Sequence, residues 1–202
     1  MFHDLDATLR AMLDDLAAPA GVRTADVSFD PPDKTFTPST PTVDLFLLDL
    51  QENRTLRDPS PVRERVGRVV VNHRPPRMDC SYLVTAWSAQ SGALKVEEEH
   101  RLLGEVLLWL GKFPVVDARF LKGSLANPPQ PTSPPLEVAQ TREGVNLGQF
   151  WSALGVPPRP AFTLTVTVAL QSVPEPETGE KVDGVVLQPV LRPDGRWPES
   201  QP

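Results

Sequence analysis

Apolar residues recur at helical spacing near the start of the chain, at Phe2, Leu5, Leu9, Met12, Leu13 and Leu16. They predict an amphipathic helix over 2–17. Asp4 and Asp6 fall in its first turn, where they suit the helix dipole, and Pro19-Ala-Gly21 stops it. A short strand at 25–29 and a proline-rich loop from Asp30 to Pro41 follow. The strand predicted at 42–50 is apolar at both parities, with Val43, Leu45 and Leu47 on one face and Phe46, Leu48 and Leu50 on the other. That pattern predicts a central strand covered on both sides. Strands at 66–73 and 80–88 flank the turn Arg74-Pro-Pro-Arg77. Ser88 to Gly92 then opens the longest helix, 93–111, with Gly111 as its natural stop. After a connection over 113–125, a strand at 135–140 and a short helix at 146–154, the last strand spans 161–173. There Phe162, Leu164, Val166, Val168 and Leu170 alternate with Thr163, Thr165 and Thr167, which predicts one core face and one face open to water or a neighbour.

Residues 174–202 change character. Proline, glycine and acids dominate, and the only apolar runs are Val185-Val186-Leu187 and Val190-Leu191. The expected organisation is one domain over 1–173 and a mostly disordered, proline-rich tail over 174–202, with one weak strand at most. A chain of 202 residues can bury a proper core. The net charge of −6 argues against nucleic acid as the main partner, since phosphate binding needs clustered Lys and Arg. The single cysteine, Cys80, excludes an intrachain disulfide and fits a reducing compartment. No apolar run approaches the ~20 residues that span a bilayer, so no membrane insertion is expected. The acidic, amphipathic N-terminus lacks the basic region of a secretory signal.

Candidate chemistry is sparse, and no catalytic, metal or cofactor residues are assigned. His100 shares a helix face with Leu107 and Leu110, which predicts a buried, hydrogen-bonded histidine. The three histidines have no zinc-ligand spacing. Cys80 sits among apolar strand neighbours and reads as inert core. Gly104 to Gly111-Lys112 fails as a phosphate loop, because Phe113 stands where Ser or Thr is required. Asn53-Arg-Thr55 matches a glycosylation sequon by chance. Asp44 and Asp49, five residues apart on a strand, are expected on opposite faces and do not make a carboxylate pair.

The one notable charge cluster is the run Arg54, Arg57, Arg63, Arg65, Arg68, Arg74 and Arg77, on a segment read as a projecting loop or β-excursion stiffened by Pro59 and Pro61. Its functional reading is an arm that meets acidic surface on a neighbouring subunit; the alternative is a solvated loop. On helix 93–111, Val96, Leu103, Leu107 and Leu110 form one stripe, and Leu102, Val106 and Trp109 form a second. Such a helix is either sandwiched inside the monomer or shared with another subunit. The candidate subunit-interface residues are therefore Glu52, Asn53, Arg54, Arg57, Arg63, Arg65, Arg68 and Trp109.

Several blocks stand in a telling order: Asp4-Leu-Asp-Ala-Thr-Leu-Arg10, Phe29-Asp-Pro-Pro32, Pro41-Thr-Val-Asp-Leu-Phe-Leu-Leu-Asp-Leu50, then Glu52-Asn53 and Leu56-Arg57. Tyr82-Leu-Val-Thr-Ala-Trp87, Glu99-His-Arg-Leu-Leu-Gly-Glu-Val-Leu108, Leu147-x-x-Phe-Trp-Ser-Ala-Leu154 and Arg159-Pro-Ala-Phe162 complete the series. Together, over about 2–172, they resemble the N-terminal domain of the cap proteins that terminate the tube and sheath of extracellular contractile injection systems, relatives of phage tail terminators. The resemblance implies an α+β fold, a twisted, mainly antiparallel or mixed sheet backed by helices. It implies a non-enzymatic structural cap without cofactor, assembled as a homo-oligomeric, hexameric ring that ends tube and sheath polymerisation and fixes particle length. Its partners would be tube and sheath proteins, and its place the apical end of a particle assembled in the cytoplasm. Two other readings stay open: a non-ring adaptor binding an acidic partner through its arginine arm, and a small α+β hydrolase built around His100 and the neighbouring glutamates.

Overall fold

The alternating segments lie side by side as the three long strands of one sheet. A computed structural model describes residues 1–56, 62–66, 68–72, 75–127, 130–140, 147–170 and 177–179. Its helices are α1 (Phe2–Leu13), α2 (Ala20–Thr24), α3 (Gly92–Leu110) and α4 (Leu147–Leu154). Its strands are β1 (Asp26–Ser28), β2 (Thr42–Glu52), β3 (Val62–Val66), β4 (Arg68–Asn72), β5 (Arg77–Trp87), β6 (Leu136–Val138), β7 (Ala161–Ala169) and β8 (Glu177–Gly179). The chain divides into two compact units. One is Met1–Asp58 with Pro75–Ser172, and the other is Pro59–Arg74 with Val173–Pro202.

The larger unit holds a five-stranded sheet in the order β1-β2-β5-β7-β6. β1 joins β2 in parallel, and the other pairings are antiparallel. The fold is thus α+β with a mixed sheet backed by helices. β5 is the central strand, and β2, expected to be central, lies one place out. One face of the sheet carries Val43, Leu45, Cys80, Tyr82, Val84, Leu164, Val166 and Val168, all in the main apolar cluster with Leu5, Leu9, Met12 and Leu13 of α1 and Leu102, Val106, Trp109 and Leu110 of α3. Directional bonds fix this layer. The Tyr82 hydroxyl donates to Asp6 Oδ1 at 2.8 Å, and Trp109 Nε1 donates to the Met12 carbonyl at 2.8 Å. At the start of α1, Ser124 donates to the Asp4 carboxylate from its amide and its hydroxyl. These bonds hold the Asp4 pKa down at about 2. Gly123 (φ +51°) allows that approach, for a Cβ there would sit 1.9 Å from Asp4 Oδ1.

The second face differs from its sequence reading. Thr165 and Thr167, expected to meet water or a neighbour, are 2% and 5% exposed. The Thr165 and Ser81 hydroxyls bond at 3.3 Å, and Thr167 Oγ1 donates to Asp79 Oδ1 at 2.6 Å. Leu83 and Trp87 are buried on the same face. Phe150 of α4 packs on Phe46, Phe36 of the proline-rich loop stands edge-on to Trp87, and the Arg159 guanidinium lies 3.7 Å from the Trp87 ring centroid. The threonines are therefore hydrogen-bonded interior, where β-branched side chains suit a packed strand.

β2 carries a bulge between Leu47 and Asp49, so register resumes with Asp49 opposite Ser81 and Leu50 opposite Cys80. An extra residue reverses the alternation beyond it. Leu50 thereby joins the face of Leu45. Asp49 joins the face of Asp44, where strict alternation had placed the two acids on opposite sides. Helix α3 also corrects two expectations. His100 is exposed, because Leu102, Val106 and Trp109 face the core. Gly111 does end α3, but in the right-handed region (φ −63°), so the stop does not use a glycine-specific conformation.

Asp44 is fully buried opposite Thr85. It accepts a long 3.5 Å bond from the Thr85 hydroxyl, while Oδ1 has no partner among the described residues. Burial, reinforced by the nearby Asp30 carboxylate, pushes its pKa up to about 7. A raised carboxyl pKa means that the folded state binds a proton the unfolded chain gives up. Its stabilising contribution is complete below the unfolded value and is lost as pH rises through the folded one. Chemical denaturation should show stability falling between about pH 4 and about pH 7, by on the order of 3–4 kcal/mol for this group. Asp44→Asn should remove most of that slope and leave the part due to Asp6, whose carboxyl burial also raises.

Candidate functional site

The arginine-rich excursion leaves the sheet after β2 and returns at β5, and its root is built from side chains on three neighbouring strands. Asn53 follows β2 directly. Its Nδ2 donates to both oxygens of Asp79, at 3.0 and 3.2 Å. Its backbone N–H donates to the Arg77 carbonyl at 2.8 Å. Its Oδ1 accepts from the Leu56 amide at 2.8 Å, which turns the outgoing chain. Asp79 also takes the Thr167 hydroxyl proton from β7. On the returning side the Arg77 guanidinium donates to Thr132 Oγ1 at 2.9 Å, and the Leu170 amide donates to the Pro76 carbonyl at 2.8 Å. The Asp79 carboxylate thus draws donors from both neighbouring strands, and bonds to an ionised acceptor are about twice as strong as neutral ones. The excursion thus starts from a rigid base. A shallow groove of about 520 Å³ lies beside it, lined by Gln51, Glu52, Asn53, Arg54, Thr55 and Asp79.

The predicted interface residues separate into three groups. Glu52 and Arg54 are exposed at the root, and Asn53 is half-buried and anchors it. Arg63 and Arg65 occupy β3, and Arg68 opens β4. β3 and β4 form an antiparallel ribbon with Arg63 opposite Val71 and Arg65 opposite Val69, and β8 adds on the other side of β4. Arg57 lies outside the described residues. Trp109 is a correction. It is 4% exposed, its indole N–H is spent on the Met12 carbonyl, and Phe113 packs edge-on against its ring. Of the two alternatives for α3, this stripe is the one sandwiched inside the monomer.

Sequence reading missed Asp79, the partner that holds Asn53, and Thr167, which donates to Asp79 in turn. The available signal was an acid inside a strand otherwise spent on burial, which has to find donors. Charge bookkeeping sharpens the picture. Residues 54–77 hold seven arginines against Asp58 and Glu64, a net +5, which leaves −11 on the rest of a chain of net −6.

Two of the glutamates behind the hydrolase reading are otherwise engaged, and His100 is exposed. Glu99 accepts from Arg159 at 2.5 Å and from the Ser88 amide at 3.2 Å, and Glu98 accepts from the Ser88 hydroxyl. Cys80 is buried, and that burial pushes its thiol up to about 12, so it stays protonated. Among the described residues no group of three or more His, Cys, Asp or Glu is placed to hold a metal, and no helix is long and apolar enough to cross a membrane.

Residues 4–183 match the Pvc16 N-terminal domain family. No curated protein matches the chain. Among solved structures, the chain is similar to the sheath/tube terminator of the extracellular contractile injection system PVC in its extended state. The TM-score is 0.65 at 22% identity, over 93% of this chain and 63% of that one. It is also similar to the tube-terminating cap of the anti-feeding prophage, with a TM-score of 0.59 at 19% identity, over 93% of this chain and 61% of that one. At these identities the likeness is one of fold, and the chain spans about three-fifths of the length of either structure.

Replacing Asn53 by alanine removes the amide donor shared by both Asp79 oxygens and frees the turn at Leu56. Asn53→Ala is expected to lower stability by about 1–3 kcal/mol and to speed tryptic cleavage within 54–77, read by denaturant titration and timed digestion. Unchanged cleavage would show that the root does not depend on this side chain.

Proposed function

The chain belongs to the Pvc16 N-terminal domain family, and from that premise we propose that it is a structural terminator of a phage-tail-like contractile injection system. Copies close into a hexameric ring that seats on the last layer of the tube, joins the top of the sheath, and ends polymerisation of both. The observation that carries this reading is the fold shared over 93% of the chain with a sheath/tube terminator and with a tube-terminating cap. The charge layout supports it. A ring of identical copies needs a heterologous contact, one surface meeting a different surface on the next copy, and this chain carries a basic segment of net +5 against a net −11 over the rest of its residues. Glu52, Arg54, Arg57, Arg63, Arg65 and Arg68 are assigned to that contact, with Asn53 holding the segment in place. Weak contacts repeated around a closed ring add up without any one being strong.

The role requires no chemistry at a reactive centre, and the protein acts as a non-enzymatic part of the particle, placed at its apical end after assembly in the cytoplasm. The capping is assigned to the domain over 1–173, and β8 lies in the segment that follows it. A second reading, a non-ring adaptor that grips an acidic partner with the same arginines, draws on the same charge cluster and predicts a monomer.

Light scattering separates the two, because a terminator gives a closed oligomer and an adaptor the mass of one chain. Expression of the particle genes without this one should yield tubes of broad, uncontrolled length in electron micrographs, and restoring it should return a single length. A narrow length distribution in its absence would refute the capping role.

A further inference from the structure

Two strand edges of opposite charge lie on this chain. β1 is the end strand of the five-stranded sheet, and no strand among the described residues pairs with its outer side. The other end is partly closed. Outside β6, Val115 bridges Pro135, Val116 donates to the Pro134 carbonyl, and Leu136 donates to the Pro114 carbonyl. β1 and the turn after it carry Asp26, Asp30 and Asp33. Asp26 and Asp30 are exposed and Asp33 is half-buried. They accept from hydroxyl and amide groups of Thr40, Ser28 and Thr35, and none of the three makes an ion pair among the described residues. Beneath them the buried Asp44 lies opposite Ser28 in register, again without a cation. From Thr24 to Asn53 the chain has six acids and a single base, Lys34.

The other edge is basic. In the smaller sheet the order β3-β4-β8 puts β3 at one end. Arg63 and Arg65 are two residues apart on it. Unpaired edges template further pairing unless something covers them, and in a closed ring every boundary brings one copy's arm to the next copy's body.

We infer that β3 of one copy adds to the free edge of β1 in the next copy, continuing the five-stranded sheet across the subunit boundary, with Arg63 and Arg65 meeting Asp26, Asp30 and Asp33. Backbone hydrogen bonds supply the pairing, as in other cases of strand addition to an open edge. The arginine–carboxylate pairs set which edge is chosen and in what register. A carboxylate corner left without cations in one copy and an arginine ribbon in the next satisfy each other. This inference rests on the ring reading and names the two surfaces that close it.

The test uses the full chain and a charge swap. Asp30→Lys, made together with Asp26→Lys, and Arg63→Glu, made together with Arg65→Glu, should each weaken self-association at least about tenfold. Asp30→Lys alone covers the case in which losing the Asp26–Thr40 bond disturbs folding. Equal mixing of the two charge-reversed proteins should restore rings, because each then offers the complement the other lacks. Wild-type rings should come apart in about 0.5 M salt, where exposed pairs are screened. Amide hydrogen exchange gives a readout that side-chain attraction alone would not move. The amides of 26–28 and 62–66 should slow at least about tenfold on assembly if strands pair. Rings that form in both variants, or unchanged exchange at these amides, would overturn the edge pairing while leaving the ring itself standing. A wild-type chain that never self-associates, with or without tube, would overturn both.

Discussion

The structure depends on one strand that has no exposed face. Every residue of β5 from Asp79 to Trp87 is buried. Its even positions enter the apolar cluster under α1 and α3, and its odd positions face a second layer that is half polar. An apolar layer is satisfied by contact alone, but a polar layer away from water must close its hydrogen bonds one by one. Asp79, Ser81 and Thr85 do so against Asn53, Thr167, Thr165 and Trp87. The second face therefore specifies partners, where the first mainly supplies burial.

That division explains why the arm can be rigid at its root. The bonds that satisfy Asp79 are the same bonds that fix where the chain leaves β2 and where it returns to β5. A buried carboxylate is costly unless donors converge on it, so the core and the base of the arm are stabilised together. The other interior acid on this face, Asp44, shows the opposite case. Its partners are too few, and burial raises its pKa to about 7. The acidic corner around β1 is thus short of positive charge, and the arginine segment carries a surplus of it.

Much of the fold was legible in periodicity. The long helix, the alternation of β7 and the two-sided strand β2 all lie within a few residues of their expected bounds, since apolar spacing at 3.6 or 2 is a strong constraint. The face assignments were less secure. One bulged residue in β2 moved Asp49 and Leu50 to the faces opposite those that strict alternation gives. On α3 the pattern alone left open whether the helix is sandwiched in the monomer or shared, and packing buried Leu102, Val106, Trp109 and Leu110 while leaving His100 exposed. Of the candidate site, Asn53 was recognised as part of a block, but its role as an anchor needed Asp79, which is 26 residues away.

By itself the chain determined which segments are helix and strand, where its positive charge is concentrated, and to which family it is similar, because these are properties of local order and composition. Tertiary structure alone decided that the threonine face of β7 is interior, that Trp109 is buried within the monomer, and that β1 is an end strand of the larger sheet among the described residues. Each of those depends on which distant residues come to lie alongside, through hydrogen bonds and burial that act across space and leave no mark at any fixed spacing in the sequence.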